Sequence, residues 1–149
     1  MLLFGIVVLA VSALGLLAGW MWRRRERLVL ERHSVEPEEL RAWVDSDRRV
    51  LIFDIRQPLD LLAHSEIIPG AVRIPPQELL DDPSRIPRDE DLVVYCTCAA
   101  DRTSLSVVRR ALEAKFTRVK LLKGGLEAWK AKGYPVEPYV QAFHLDTAR

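Results

Sequence analysis

Leu92-Val-Val-Tyr95-Cys96-Thr-Cys98-Ala-Ala-Asp101-Arg102-Thr103-Ser104 passes from an apolar, β-branched run through a short polar loop into a segment with helical spacing. The run Leu92–Tyr95 has no polar alternation, as expected of a parallel strand buried on both faces. Leu105, Val108, Leu112 and Phe116 then recur at helical intervals, predicting a helix over Thr103–Phe116. The same alternation extends outward. Val50-Leu-Ile-Phe-Asp-Ile55 and Val119–Leu122 read as further buried strands, with a brief one near Ala71–Ile74. Between and around them fall helices opening at Ser34-Val-Glu-Pro37, covering Leu59–Ala63, making one turn at Gln77–Leu80, and running Leu126–Lys132. Pro37 suits a first helical turn, and Glu38 and Glu39 complement the positive end of the helix dipole. Strands alternating with helices predict an α/β fold, a mostly parallel sheet flanked by helices.

The N-terminal segment differs in kind. A mean hydropathy of +0.00 averages two unlike pieces: Met1–Trp22 carries no charged side chain, and every charge lies beyond it. The 21 residues Leu2–Trp22 would form a helix of roughly 31 Å, about the hydrocarbon thickness of a bilayer. Trp20 and Trp22 suit the headgroup layer, and Arg23, Arg24, Arg25 and Arg27 follow on the C-terminal side alone. The expectation is one transmembrane helix preceding the domain: a retained single-pass anchor in the cell membrane, with the soluble domain facing the cytoplasm. A cleaved signal peptide fits less well, since it would have a basic start and a shorter apolar run. Gly15 and Gly19 form a GxxxG that would permit a helix-mediated dimer. The boundaries are then 1–22 for the anchor, 23–34 for a basic juxtamembrane linker, 35–138 for the domain and 139–149 for a C-terminal tail. With 22 Lys+Arg against 21 Asp+Glu, nothing points to nucleic acid as a partner.

In open α/β sheets ligands bind beyond the carboxyl ends of the strands, and Cys96 and Cys98 lie there. A loop curling from a strand into a helix turns backbone N–H groups inward, stabilising a thiolate, a persulfide or a bound oxyanion. Thr97, Ala99, Ala100, Asp101 and Thr103 would form this anion-binding loop, and Arg102 adds a fixed cation. The same features favour the reactive thiolate. One C-x-C pair with His33, His64 and His144 scattered along the chain is not a zinc pattern.

In order and spacing these residues resemble the rhodanese-like family. The likeness is carried by Leu51-Ile-Phe-Asp54-Ile-Arg56, Ile68-Pro-Gly-Ala-Val-Arg-Ile-Pro75, Val93-Val-Tyr-Cys96, the loop after it, and Leu122-Lys-Gly-Gly-Leu-Glu-Ala-Trp129 with Gly133-Tyr-Pro-Val136. The resemblance implies a parallel sheet flanked by helices and a sulfurtransferase in which a cysteine thiolate takes sulfane sulfur from a small donor, becomes a persulfide and passes the sulfur to an acceptor thiol or cyanide. It implies no metal and no organic cofactor. By position Cys96 matches the nucleophile, while counting six back from Ser104 nominates Cys98. Five residues separate Cys96 from Arg102 and three separate Cys98 from it, so neither has the family's usual spacing. Ile67 stands where the family commonly has His. Asp54 and Arg56, at a neighbouring strand end, are expected to brace the loop as an ion pair. Three other functions stay open: a Cys-x5-Arg phosphatase or arsenate reductase, a non-catalytic interaction module, and a thiol redox relay in which Cys98 resolves a Cys96 persulfide as a disulfide. Membrane attachment would serve any of them by raising the effective concentration towards a membrane partner.

Overall fold

The computed structural model describes residues 1–46, 48–97 and 102–140, without the side chains of 2–9 and 30. The chain divides into two units, Met1–Arg32 and His33–Arg149. The first is a single helix, α1 (Leu2–Arg32), so the basic stretch expected as a linker is helical as far as Arg32. Among the described residues no helix is long and apolar enough to cross a membrane. The expectation of a transmembrane helix is therefore met as a helix but not as a span. The side chains of 2–9, which open the apolar run, are not among those described, and the rest of the run soon reaches Arg23, Arg24 and Arg25.

The second unit is built on a parallel sheet. Its strands are β1 (Ser34–Val35), β2 (Val50–Asp54), β4 (Val72–Arg73), β5 (Asp91–Tyr95) and β6 (Val119–Leu122), in the order β1-β6-β5-β2-β4. Every pairing among them is parallel. The helices are α2 (Pro37–Asp45), α3 (Pro58–Ala63), α4 (Pro76–Asp81), α5 (Arg102–Glu113) and α6 (Gly125–Ala131), with a 3-10 turn at Pro83–Arg85. Pro37 stands at the start of α2 with Glu38 and Glu39 in its first turn, as its sequence predicts. Ser34 is not part of that helix. It pairs with Leu121 in β1, where the His33 carbonyl accepts from Leu121 N at 2.8 Å and the Val35 carbonyl from Lys123 N at 3.0 Å. A two-residue edge strand leaves too short a pattern to recognise. The same holds for β3 (Glu66–Ile67) and β7 (Glu137–Pro138), an antiparallel pair outside the main sheet.

Side-chain alternation divides the core between the two faces of the sheet. Ile52, Val93 and Tyr95 pack with Leu40 of α2 and with Leu126 and Trp129 of α6. Trp129 is fully buried, donates its indole N–H to the Pro135 carbonyl at 2.8 Å and meets Tyr134 edge to face at 5.0 Å. Burial of one such aromatic contributes about 1.5–3 kcal/mol. The opposite face takes the apolar stripe of α5, whose Leu105, Val107, Val108 and Ala111 are buried.

Candidate active site

The pairing registers place Tyr95, Asp54 and Arg73 side by side at the carboxyl edge of the sheet. Cys96 continues from that edge. It is a buried thiol rather than half of a disulfide. Its backbone is tied on both sides: Ile55 N donates to the Tyr95 carbonyl at 3.0 Å, and Leu126 N donates to the Cys96 carbonyl at 3.3 Å. The second contact depends on glycine. Gly125 has φ +58, and a β-carbon there would come within 1.9 Å of the Cys96 carbonyl oxygen. The Gly124-Gly125 pair thus lets α6 approach the cysteine peptide at backbone distance.

Thr97 is half-buried beside Cys96, whereas Cys98, Ala99, Ala100 and Asp101 lie outside the described residues. Arg102 opens α5 with its side chain exposed, and Thr103 is half-buried. Ser104, which sequence spacing singles out only as a counting mark, is fully buried in the first turn of α5. Among the described residues its Oγ has no hydrogen-bond partner, a state that costs about 1–3 kcal/mol.

Asp54 and Arg56 do form the expected ion pair, and it is fully buried. Arg56 Nε lies 2.9 Å from both carboxylate oxygens and Nη2 lies 2.5 Å from Oδ2. The guanidinium also donates to the carbonyls of His64 at 2.7 Å and Glu66 at 2.8 Å. Burial alone would lower the Arg56 pKa, but the hydrogen bonds and charge of Asp54 outweigh it and raise it above the usual value. Tyr95 completes the cluster: its hydroxyl donates to Asp54 Oδ2 at 3.0 Å and accepts from Ile68 N at 3.2 Å. Burial, then the adjacent Asp54 charge, push its ionisation far above the ordinary 10.0. The pair therefore braces the strand that carries Cys96 through Tyr95, and it anchors the segment His64–Ile68 as well. A tyrosine closing an aliphatic strand, with an acid ending a similar one, is the sequence signal for this link.

The described residues thus make a parallel α/β domain with a buried cysteine just past the end of a central strand and a helix opening at Arg102. Residues 36–132 match the rhodanese-like domain, and the chain belongs to that family. It is 30% identical over 104 residues to a sulfurtransferase of Allochromatium vinosum, covering 70% of this chain and 94% of that protein. It is 32% identical over 107 residues to the probable adenylyltransferase/sulfurtransferase MoeZ of Mycobacterium tuberculosis, covering 68% of this chain but 26% of the relative. Among solved structures, the Alr3790 protein of Anabaena superposes with a TM-score of 0.60 at 30% identity, over 70% of this chain and 81% of that one. A full-length protein from Lactobacillus plantarum shares the fold, with a TM-score of 0.62 at 21% identity over 85% and 97% of the two chains.

Proposed function

We propose that the protein is a sulfurtransferase that carries sulfane sulfur as a persulfide on Cys96, in a domain held at a membrane by α1. The observation that carries this reading is the placement of Cys96 at the carboxyl end of a central strand, its peptide fixed by α6 and the α5 N-terminus following the loop. The Cys96 thiolate attacks the outer sulfur of a donor such as thiosulfate. A sulfur–sulfur bond to cysteine forms, the donor's sulfur–sulfur bond breaks, and sulfite leaves with the electron pair. An acceptor thiolate or cyanide then attacks the terminal sulfur of the persulfide and releases the Cys96 thiolate. Two displacements at sulfur replace one direct transfer. The sulfurtransferase relatives support this chemistry. The phosphatase reading has less support, because Arg102, which would have to grip the oxyanion, is exposed.

Membrane attachment draws its support from the uncharged run in α1, from Trp20 and Trp22, and from the arginines beyond them. Arg24 lies over the Trp20 ring at 5.4 Å, a pairing suited to the headgroup layer. The bilayer is one partner; the small sulfur donor and the thiol acceptor are the others.

Reduced protein incubated with thiosulfate should gain about 32 Da, one sulfur atom, on the peptide containing Cys96. Cys96→Ser should abolish the gain. A gain on Cys98 alone would move the nucleophile, and none with thiosulfate or polysulfide would leave a docking module.

A further inference from the structure

A dense run of charge lies on α1, where Arg23, Arg24, Arg25 and Arg27 stand against Glu26 alone. These arginines are not equivalent. Arg23 and Arg27 continue a row of four-residue steps that begins at Gly15 and Gly19, and such a row follows one ridge line of a helix. All four line a groove of about 620 Å³. Leu16, Trp20 and Arg24, the adjoining row, form its wall, while Arg25 is not part of its lining. The groove is therefore two-ended, an uncharged trough that closes on guanidinium groups. Gly15 to Arg23 spans about 12 Å of helix axis, within the roughly 15 Å of one hydrocarbon leaflet. A β-carbon at Gly15 or Gly19 would meet nothing within 4 Å among the described residues, and glycine is a poor residue for a helix interior. What the pair leaves is a trough at backbone level, open to a neighbour from outside the chain. Charge decides which neighbour. A second α1 docked here as a symmetric parallel pair would set Arg23 and Arg27 against their own copies. A phosphodiester meets them with the opposite charge and with oxygens suited to the guanidinium fork. Arg24, 5.4 Å over the Trp20 ring, marks the junction of the two ends.

We propose that this groove binds one anionic phospholipid of the leaflet around α1, its acyl chain lying along Gly15 and Gly19 against Leu16 and Trp20, and its phosphate held by Arg23 and Arg27. The proposal rests on the membrane-attachment reading and is independent of the chemistry at Cys96. It differs from the general attraction of a basic flank for a negative surface, because it assigns the lipid to one face of the helix and to an apolar trough as well as to charge.

The test reconstitutes the full chain into phosphatidylcholine vesicles carrying a trace of spin-labelled phosphatidylglycerol or spin-labelled phosphatidylcholine. The motionally restricted fraction of the label, read by electron paramagnetic resonance, should show phosphatidylglycerol preferred by at least about fivefold. Arg23→Gln should remove most of that preference, whereas Arg25→Gln, equal in lost charge, should keep most of it. Gly15→Leu combined with Gly19→Leu fills the groove without a clash and should abolish the preference with every arginine intact. Equal losses in R23Q and R25Q, with none in the glycine variant, would reduce the effect to diffuse attraction and overturn the proposal. Cross-linked α1 pairs that the glycine variant separates, with lipid preference unaltered, would assign the groove to a second copy and overturn it too. A chain that inserts but shows no preference overturns the groove proposal alone. A chain that stays out of the vesicles removes the attachment reading, and the lipid site with it.

Discussion

Asp54 shares both carboxylate oxygens with Arg56 and one of them with Tyr95, all without exposure to water. A buried charge pair of this kind is tolerable only when its remaining donors and acceptors are also satisfied. The carbonyls of His64 and Glu66 and the N–H of Ile68 do that here. Tyr95→Phe keeps the ring and removes the hydroxyl, leaving the buried Ile68 N–H unmatched and Asp54 Oδ2 with its Arg56 donors alone. A loss of about 1–3 kcal/mol is expected in urea denaturation. The pH dependence has a definite sign. Tyr95 ionises far above its ordinary 10.0 in the folded protein because of burial and Asp54. Its contribution is therefore complete below that ordinary value and is lost as pH climbs past it towards the folded value. Wild-type stability should fall more steeply than that of Y95F between about pH 10 and 11, as read from urea midpoints.

At the level of elements, the decisive join is between the end of β5 and the start of α6. Gly124 and Gly125 both have positive φ, at +70 and +58, and Gly125 faces the Cys96 peptide with no room for a side chain. Gly125→Ala combines left-handed backbone strain with a collision against a carbonyl oxygen, so the Cys96 peptide must move. The expected result is a destabilisation of about 1–3 kcal/mol together with a fall in sulfur uptake at Cys96 of at least about tenfold, since small displacements of a reacting group cost that much. Gly133→Ala is the control. It too has positive φ, at +72, but a β-carbon there meets nothing within 4 Å. It should lose stability while keeping the reactivity of Cys96. Equal loss of uptake in both variants would show that strain, not the position of the cysteine peptide, is responsible.

Over the whole molecule the chain divides into two units, Met1–Arg32 and His33–Arg149. The His33–Arg149 unit has its own sheet and its own core, and the pairing of His33 and Val35 with β6 places its natural start at His33. α1 exposes Leu16, Leu17, Trp20 and Trp22, a surface poorly suited to water and well suited to lipid. On the membrane proposal, full-length protein should sediment with membranes, resist alkaline carbonate extraction and be released by detergent. A fragment beginning at His33 should remain in the supernatant with an unchanged melting temperature and unchanged sulfur uptake. Full-length chain recovered in the supernatant would defeat the attachment proposal and leave the catalytic one standing.

Local pattern in the chain shows the α/β alternation, the strands Leu92–Tyr95 and Val119–Leu122 to within one residue, the family motifs and the pairing of Asp54 with Arg56. These are legible because periodicity, turn chemistry and motif spacing act over a few residues. The tie from Tyr95 to Asp54 and Ile68, the dependence of Cys96 on Gly125 and the burial of Ser104 are not. Each joins groups distant in sequence or depends on which face of an element turns inward, and the short strands β1, β3 and β7 exist only through partners elsewhere in the chain. Local composition selects the elements; the environment of the Cys96 sulfur is settled when the strands come into register, because hydrogen bonding and burial are properties of the assembled neighbours.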